Sequence, residues 1–291
     1  MYTEYFGLAE LPFSISPDPR YLYLTPQHRE ALAKTQYIVN QKGGLAVIYG
    51  DVGHGKTTVA RRLYHLFKED QNNQTALLIT PDLKTDSALL RRVMAEFGVP
   101  PRRSHALSLA AFQDFAAKAF EQDKTLVLMV DEAQQMTPRM MELIRVFLNF
   151  ETDTQKFIQI LLFGQNELAT TLDKMPAIKS RVAMFGALTN LTRHDMEAMI
   201  DFRWKAAGGT QHPFTAEALD VLYDLSRGRP REVNKLANES LIRAFVSEQS
   251  EVSADMVRAA ARELRMDAPP APSDAKPKKK TEKKAKSKAK A

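Results

Sequence analysis

The sequence contains no cysteine, which excludes disulfide bonds as well as cysteine-based catalysis and metal binding. No apolar run approaches the ~20 residues that a membrane-spanning helix requires. Residues 1–6, MYTEYF, also lack the arrangement of charged and apolar residues that is typical of a signal peptide. These absences predict a cytoplasmic protein with no transmembrane segment.

Net charge is small over most of the chain. The total is +6, but residues 276–291 alone hold nine lysines and one glutamate, a local charge of +8, so that the first 275 residues carry −2. Apolar residues make up 44% of the sequence, which is enough for a large core and excludes a disordered protein. The 291 residues can form one large α/β domain and a smaller second domain.

A glycine-rich segment at residues 50–57 carries the strongest functional signal. It reads GDVGHGKT, in which two glycines with four residues between them are followed by Lys56 and Thr57. The apolar run 45–49 precedes it and an amphipathic stretch, 57–67, follows, so we expect it to connect a strand to a helix. Backbone N–H groups of such a loop converge on an anion at the helix N-terminus, where the dipole also favours negative charge. Lys56 is placed to reach the β- and γ-phosphates, and Thr57 to supply a hydroxyl for Mg²⁺.

This pattern predicts a binding site for a nucleoside triphosphate. A plain glycine turn between a strand and a helix is the alternative, but such a turn does not require lysine and threonine at these offsets. The residues expected to bind ATP are Gly50, Asp51, Val52, Gly53, His54, Gly55, Lys56, Thr57 and Thr58.

Apolar runs and helical patterns alternate along the first two thirds of the chain. Besides 45–49, the sequence predicts buried strands at 75–80, 125–130, 157–163 and 182–188, and helices at 86–97, 107–120 and 138–150. Such alternation is typical of a parallel sheet covered by helices on both faces. From residue 192 onward the pattern is helical, with helices at 192–207, 215–226, 230–247 and 253–264. The predicted fold is a three-layer α/β P-loop domain followed by a small all-α lid domain.

These patterns divide the chain into four segments. They are an N-terminal arm and helix at 1–40, the phosphate-loop domain at 41–190, the helical domain at 191–266, and a lysine-rich tail at 267–291 that we expect to be disordered. Residues 1–30 are rich in aromatic residues and proline and are expected to be irregular, with residues 37–39 on a helix that leads into the first strand. The irregular arm either contributes to a pocket for the base of a nucleotide or simply packs on the surface of a domain.

Two acidic residues follow the apolar strand at 125–130. A carboxylate at such a strand end can hold Mg²⁺, and the next one can polarise the attacking water. We therefore predict Asp131 as a metal ligand and Glu132 as the general base. Many strands end in aspartate, but here the acids accompany a phosphate loop, with a helix–strand–helix unit between the two motifs.

Three more polar residues are candidates for the site. Gln165 follows the strand at 157–163, and its side chain either faces the γ-phosphate or is an ordinary solvated glutamine. Arg181 lies just before the last strand, where it could reach the nucleotide of a neighbouring subunit, and Arg231 opens a helix of the all-α domain. Arginine suits both places, because its planar fork binds phosphate oxygens with two hydrogen bonds. Most arginines, however, are solvated surface residues.

Several short motifs together resemble the AAA+ ATPases of the ExeA/GspA type, which are named for secretion and envelope assembly. The resemblance covers nearly all of residues 1–265. The motifs are YFGL at 5–8, PF at 12–13, PDP at 17–19, YLY at 21–23, HREAL at 28–32, the phosphate loop at 50–57, VDEAQ at 130–134, GQNEL at 164–168, Arg181 and GRPREVN at 228–234.

The resemblance implies particular roles and an assembly. It implies that Gln165 is the first sensor, Arg181 a finger that acts on the next subunit, and Arg231 the second sensor. It also implies a homo-oligomer, in the form of a ring, that hydrolyses ATP with Mg²⁺. Two features depart from the family: Asn166 stands where many relatives have proline, and a lysine tail stands where secretion members have a transmembrane segment and a peptidoglycan-binding region.

Three functions remain open from the sequence. The first is an ATPase that drives assembly or remodelling of a protein partner in a secretion or envelope system. The second is an ATP-dependent regulator on double-stranded DNA, of the transposition or phage type, and the third is a scaffold that binds ATP with little turnover. The nine tail lysines suit sequence-independent contact with DNA phosphates, contact with anionic lipid, or no partner beyond solvent.

Overall fold

A computed structural model describes residues 1–15, 18–79 and 83–266. Its centre is a sheet of five parallel strands in the order β2-β3-β4-β1-β5. The strands are β1 (Leu45–Gly50), β2 (Asn73–Leu78), β3 (Thr125–Val130), β4 (Ile158–Gly164) and β5 (Val182–Leu188). β3 and β4 are buried along almost their whole length, as expected for interior strands of a sheet covered on both faces.

Helices cover both faces of the sheet. They are α2 (Pro26–Asn40), α3 (Lys56–Glu69), α4 (Asp86–Glu96), α5 (His105–Glu121), α6 (Pro138–Phe147), α7 (Asn166–Asp173) and α8 (Pro176–Lys179), whereas the short helix α1 (Tyr2–Tyr5) belongs to the N-terminal arm. Alternate residues of a strand point to opposite faces. Leu126 and Leu128 therefore pack with α4, α5 and α6, whereas Val127 and Met129 pack with α2 and α3. This arrangement confirms the predicted three-layer fold.

A second core follows the sheet. It is formed by α9 (Arg193–Ala206), α10 (Ala216–Ser226), α11 (Pro230–Val246) and α12 (Ala254–Glu263), which confirms the predicted all-α region. The N-terminal arm packs into this helical core through Tyr2, Phe13 and Tyr21. Its backbone is attached as well, because Ala9 N–H donates to the carbonyl of Ala207 at 2.8 Å.

The structure corrects one expectation and shifts several boundaries. The sequence predicts residues 1–30 to be irregular, but 2–5 and 26–30 are helical, the latter because Thr25 caps α2 through its side chain and Pro26 occupies the first turn. β2 runs from Asn73 to Leu78 instead of 75–80, since its two polar first residues pair with β3. The predicted disordered tail, 267–291, lies outside the described residues. Among the described helices, none is long and apolar enough to cross a membrane.

Candidate nucleotide-binding site

The sheet order brings the predicted motifs to one edge. β3, β4 and β1 are neighbours, and all three point the same way. Asp131 and Glu132 follow β3, Gln165 follows β4, and the phosphate loop follows β1. The carboxyl edge of a parallel α/β sheet is where such folds bind ligands. The phosphate loop, the acidic pair Asp131–Glu132 and Gln165 therefore meet at this edge.

The loop between β1 and α3 has the backbone of an anion-binding turn. Gly53 and Gly55 both have positive φ, at 90° and 86°, and Gly55 is the N-cap of α3. A Cβ atom on Gly53 would lie 2.7 Å from Cβ of Arg231, so glycine also allows α11 to approach the loop. The N-terminal turn of α3 is thus directed at the same space as Arg231.

Lys56 is buried beside this loop. Its Nζ donates hydrogen bonds of 2.8 Å to the carbonyl oxygens of Gly50 and Asp51. Burial lowers the pKa of the Lys56 ammonium, and the carboxylates of Glu132 and Asp131 oppose that shift. The ammonium therefore lies at the wall of a cavity next to the phosphate loop, close to the carboxylates of Glu132 and Asp131.

Thr57 and Asp131 form a pair of oxygen ligands. Thr57 Oγ1 donates to Asp131 Oδ2 at 2.8 Å, and Asp131 Oδ1 accepts from the backbone N–H of Glu132 at 2.9 Å. Asp131 is 2% exposed. Burial raises its pKa, while the hydrogen bonds from Thr57 and Glu132 lower it. A hydroxyl beside a buried carboxylate provides the hard oxygen ligands that Mg²⁺ prefers, so the residues fit this ion.

Glu132 faces the same cavity, next to Gln165. Its backbone is left-handed, with φ 52° and ψ 36°, a conformation that is uncommon for non-glycine residues. Gln165 Nε2 lies 3.5 Å from Glu132 Oε2. A closer neighbour, for which we predicted no role from the sequence, is Gln134, whose Nε2 donates to Glu132 Oε2 at 2.5 Å.

Histidines connect the loop to α2 and to the end of β5. Two contacts of His54 hold the loop against the chain after β5: Nδ1 lies 2.8 Å from the carbonyl oxygen of Leu188, and Nε2 lies 2.7 Å from Asn190 Oδ1. His28, on α2, places Nε2 3.3 Å from the carbonyl oxygen of His54. Burial lowers the pKa of His28. The motif HREAL at 28–32 contained this residue, but its partner could not be read from the sequence.

The two predicted arginines lie in different places. Arg231 lines the cavity. Arg181 does not line it within the described ranges; its Nη1 donates to the carbonyl of Ala177 at 2.6 Å. Leu188, at the end of β5, pairs with Gly50, whereas Val182 pairs with Leu45, so Arg181 lies at the opposite edge of the sheet. Seven residues at about 3.3 Å each put it roughly 20 Å from its own phosphate loop.

The cavity extends from the phosphate loop to the N-terminal arm. Its volume is about 290 Å³, and the arm contributes Ile15, Tyr21 and Tyr23 to its wall. Within the described parts of the chain, three buried polar atoms around it have no hydrogen-bond partner: Tyr21 OH, Arg203 Nε and Asn234 Oδ1. Base binding by the arm stays a prediction.

Comparison with known proteins gives the same family as the motifs. A family described as an AAA domain matches residues 39–172. General secretion pathway protein A of Aeromonas hydrophila is 38% identical over 250 residues, which are 84% of this chain and 45% of that protein. The chain thus spans about half the length of this curated relative.

Solved structures share the fold at low sequence identity. The Aeropyrum pernix ORC2 protein in its ADPNP–ADP complexes has a TM-score of 0.59 and 21% identity, over 83% of this chain and 69% of that one. Drosophila ORC bound to DNA has a TM-score of 0.65 and 17% identity, over 87% and 64%. Fold, motifs and curated relative agree: the chain belongs to the AAA+ ATPase family related to general secretion pathway protein A.

Proposed function

We propose that this protein binds ATP together with Mg²⁺ and hydrolyses it. One observation carries the proposal: the ends of three adjacent strands bring the phosphate loop, Glu132 and Gln165 to a single cavity, and Thr57 in its wall donates to Asp131. A nucleotide-binding scaffold without turnover would need the loop but not an acid beside the metal ligands.

Each group has a distinct task in this reaction. Backbone N–H groups of the loop and the Lys56 ammonium bind the phosphates, and Thr57 and Asp131 hold the metal. Mg²⁺ held by these two side chains would supply positive charge that offsets the negative charge developing on the phosphates. Glu132 accepts a hydrogen bond from the attacking water and takes its proton, because it lies one residue beyond the metal ligand and faces the cavity.

Gln165 and Arg231 act from two sides of the γ-phosphate. Gln165 follows the strand next to β1 and helps to orient the water near Glu132. Arg231 stands at the start of α11, against Gly53, so its guanidinium reaches the phosphates from the helical domain. Hydrolysis would remove the contact between Arg231 and the γ-phosphate, and would thereby change the packing of the helical domain against the phosphate loop.

Arg181 supplies a guanidinium to the nucleotide of a neighbouring subunit. The length of β5 separates Arg181 from its own phosphate loop by roughly 20 Å, so this distance excludes a contact between Arg181 and the nucleotide of the same subunit. A head-to-tail arrangement of identical subunits would bring this edge to the next cavity, and repeated contacts of that kind close into a ring. The active form is therefore a homo-oligomer.

Glu132→Gln tests the proposal directly. The amide keeps the shape of the carboxylate but cannot take a proton, so ATP binding should persist while turnover falls by about 10²–10⁴-fold. Binding is measured with a fluorescent ATP analogue and turnover by phosphate release. Undiminished hydrolysis in this variant would remove Glu132 from the mechanism, and absent turnover in the wild type would favour the scaffold.

The curated relative supports a proposal for the biological role. General secretion pathway protein A, by its name, acts in secretion, and we propose that this chain likewise uses ATP to drive assembly or remodelling of a protein partner in such a system. This proposal concerns the ATPase region alone, since the relative is about twice as long.

DNA binding is the second candidate. The lysine tail of the sequence and the fold shared with an ORC bound to DNA favour it. If it is correct, the protein binds duplex DNA without sequence preference, binding weakens steeply with salt, and deletion of residues 268–291 largely abolishes it. Binding that is absent, or insensitive to salt in a titration, would refute this second role and leave the ATPase untouched.

A further inference from the structure

Gln134 bridges the proposed base and the strand that carries Gln165. Its side-chain Nε2 donates to Glu132 Oε2 at 2.5 Å, and its Oε1 accepts from the backbone N–H of Gln165 at 3.0 Å. The carboxamide thus uses one end for each partner. Because Glu132 follows β3 and Gln165 follows β4, this side chain joins the ends of two neighbouring strands.

The turn around Glu132 does not by itself fix the side chain of that residue. We call the two hydrogen bonds of the Gln134 side chain, to Glu132 and to Gln165, the brace. Residues Ala133–Gln135 form a single 3₁₀ turn, in which Gln135 N–H donates to the carbonyl of Glu132 at 3.0 Å. These bonds fix the backbone but leave the side chain of Glu132 free to rotate. The contact with Gln165 Nε2, at 3.5 Å, is at the limit of a hydrogen bond. Gln134 therefore provides the shorter and stronger fixation of the carboxylate.

The end of β4 is shaped to admit the Gln134 carboxamide. A Cβ atom on Gly164 would lie 2.9 Å from Gln134 Oε1 and 2.8 Å from Leu168 Cδ2. Any larger residue there would displace Gln134, Leu168 or both. Gly164 thus makes room for the brace at the same strand end that positions Gln165.

We propose that Gln134 is a positioning residue for hydrolysis: it holds the Glu132 carboxylate toward the cavity and keeps it in register with Gln165. This inference rests on the proposed ATPase activity. The donor of Gln134 fixes where the base can meet water, and its acceptor fixes that base relative to β4. Loss of the brace would let the carboxylate sample other rotamers, so catalysis would suffer while the phosphate loop, and hence ATP affinity, would not.

Gln134→Glu is the sharpest variant. It keeps the shape and the acceptor for Gln165 N–H but replaces the donor to Glu132 by an oxygen. Misplacing a catalytic group by about 1 Å can cost 10²-fold, so we expect kcat to fall about 10- to 100-fold, with KM and analogue affinity changed less than about threefold in the uncharged variant Gln134→Ala. Gln134→Ala, which removes both contacts, should do the same and serves if the first variant does not fold. Gln135→Ala is the matched control, because that neighbouring glutamine is exposed.

A double-mutant cycle separates positioning from general destabilisation. In single-turnover measurements, Gln134→Ala should lower the rate when it is introduced into the wild-type protein. In the Glu132→Gln background it should lower the rate further by less than about twofold, because Gln134 acts through the Glu132 carboxylate. Losses that multiply, parallel losses of kcat and ATP affinity, or a kcat equal to that of Gln135→Ala would each overturn the role of Gln134. A wild type without turnover would overturn the ATPase and the brace together, whereas an active wild type with unaffected Gln134 variants would overturn the brace alone.

Discussion

Arg181→Ala should abolish turnover by removing a contact between subunits. Arg181 lies at the edge of the sheet opposite its own phosphate loop, and Nη1 is occupied by the carbonyl of Ala177. A guanidinium supplied in trans contributes about 10³–10⁵-fold to the rate in phosphoryl-transfer enzymes. We therefore expect at least about a 10³-fold loss of phosphate release, with ATP affinity unchanged because the subunit's own cavity remains intact. Lys179→Ala, which removes an exposed positive charge two residues away, is the control.

Mixing two inactive variants predicts how much activity returns, which a single variant cannot show. Arg181→Ala retains Glu132, and Glu132→Gln retains Arg181, so a functional site forms wherever the first holds the nucleotide and the second follows it. In a random 1:1 mixture of a head-to-tail ring, about a quarter of all sites meet this condition. Phosphate release should return to about a quarter of the wild-type rate per subunit.

The assay is phosphate release at fixed total protein, with the assembly state followed by light scattering. A mixture that assembles normally but stays as inactive as either variant would refute action between subunits. Full activity of Arg181→Ala alone would refute a catalytic role of any kind.

Three further predictions concern the loop, the metal and α2. Lys56→Ala should weaken ATP binding by about 1.5–3 kcal/mol, the contribution of a hydrogen bond to a charged group, as measured by analogue titration. Removal of Mg²⁺ with excess EDTA should stop turnover, and Thr57→Ala or Asp131→Asn should raise the Mg²⁺ concentration that gives half-maximal phosphate release, as measured by titration with the ion. Burial lowers the pKa of His28, so the unfolded chain takes up a proton that the folded chain resists as pH falls. The free energy of unfolding, measured with urea, should therefore fall between about pH 7.5 and 5.5 by more in the wild type than in His28→Asn.

Much of the fold could be predicted because its signals are local. The strands at 125–130 and 182–188 match the structure, and the phosphate loop joins strand to helix as its motif indicates. Segments that depend on pairing were less accurate. Asn73 and Gln74 lack the apolar pattern of a buried strand, but they pair with Thr125 and Leu126 and so extend β2. The start of α2 carried a readable signal, threonine before proline, that aromatic and proline content outweighed.

The site was less predictable because its key contacts join distant parts of the chain. Residue type and spacing indicated Glu132 and Gln165, but the bridge through Gln134 spans 31 residues and depends on the strand order. The contact between His28 and His54 likewise follows from the packing of α2 against the sheet. Sequence patterns identify which groups are available, whereas tertiary structure decides which of them meet.

Phosphate release from ATP and Mg²⁺, measured per subunit over a wide range of wild-type protein concentrations, is the decisive experiment for hydrolysis at a site shared between subunits. A subunit that needs its neighbour's Arg181 should be inactive when dilute, and its rate should rise with concentration to a plateau as the oligomer forms. No phosphate release at concentrations where ATP is bound would contradict the proposed hydrolysis. A rate per subunit that is constant down to the monomer would contradict a site shared between subunits.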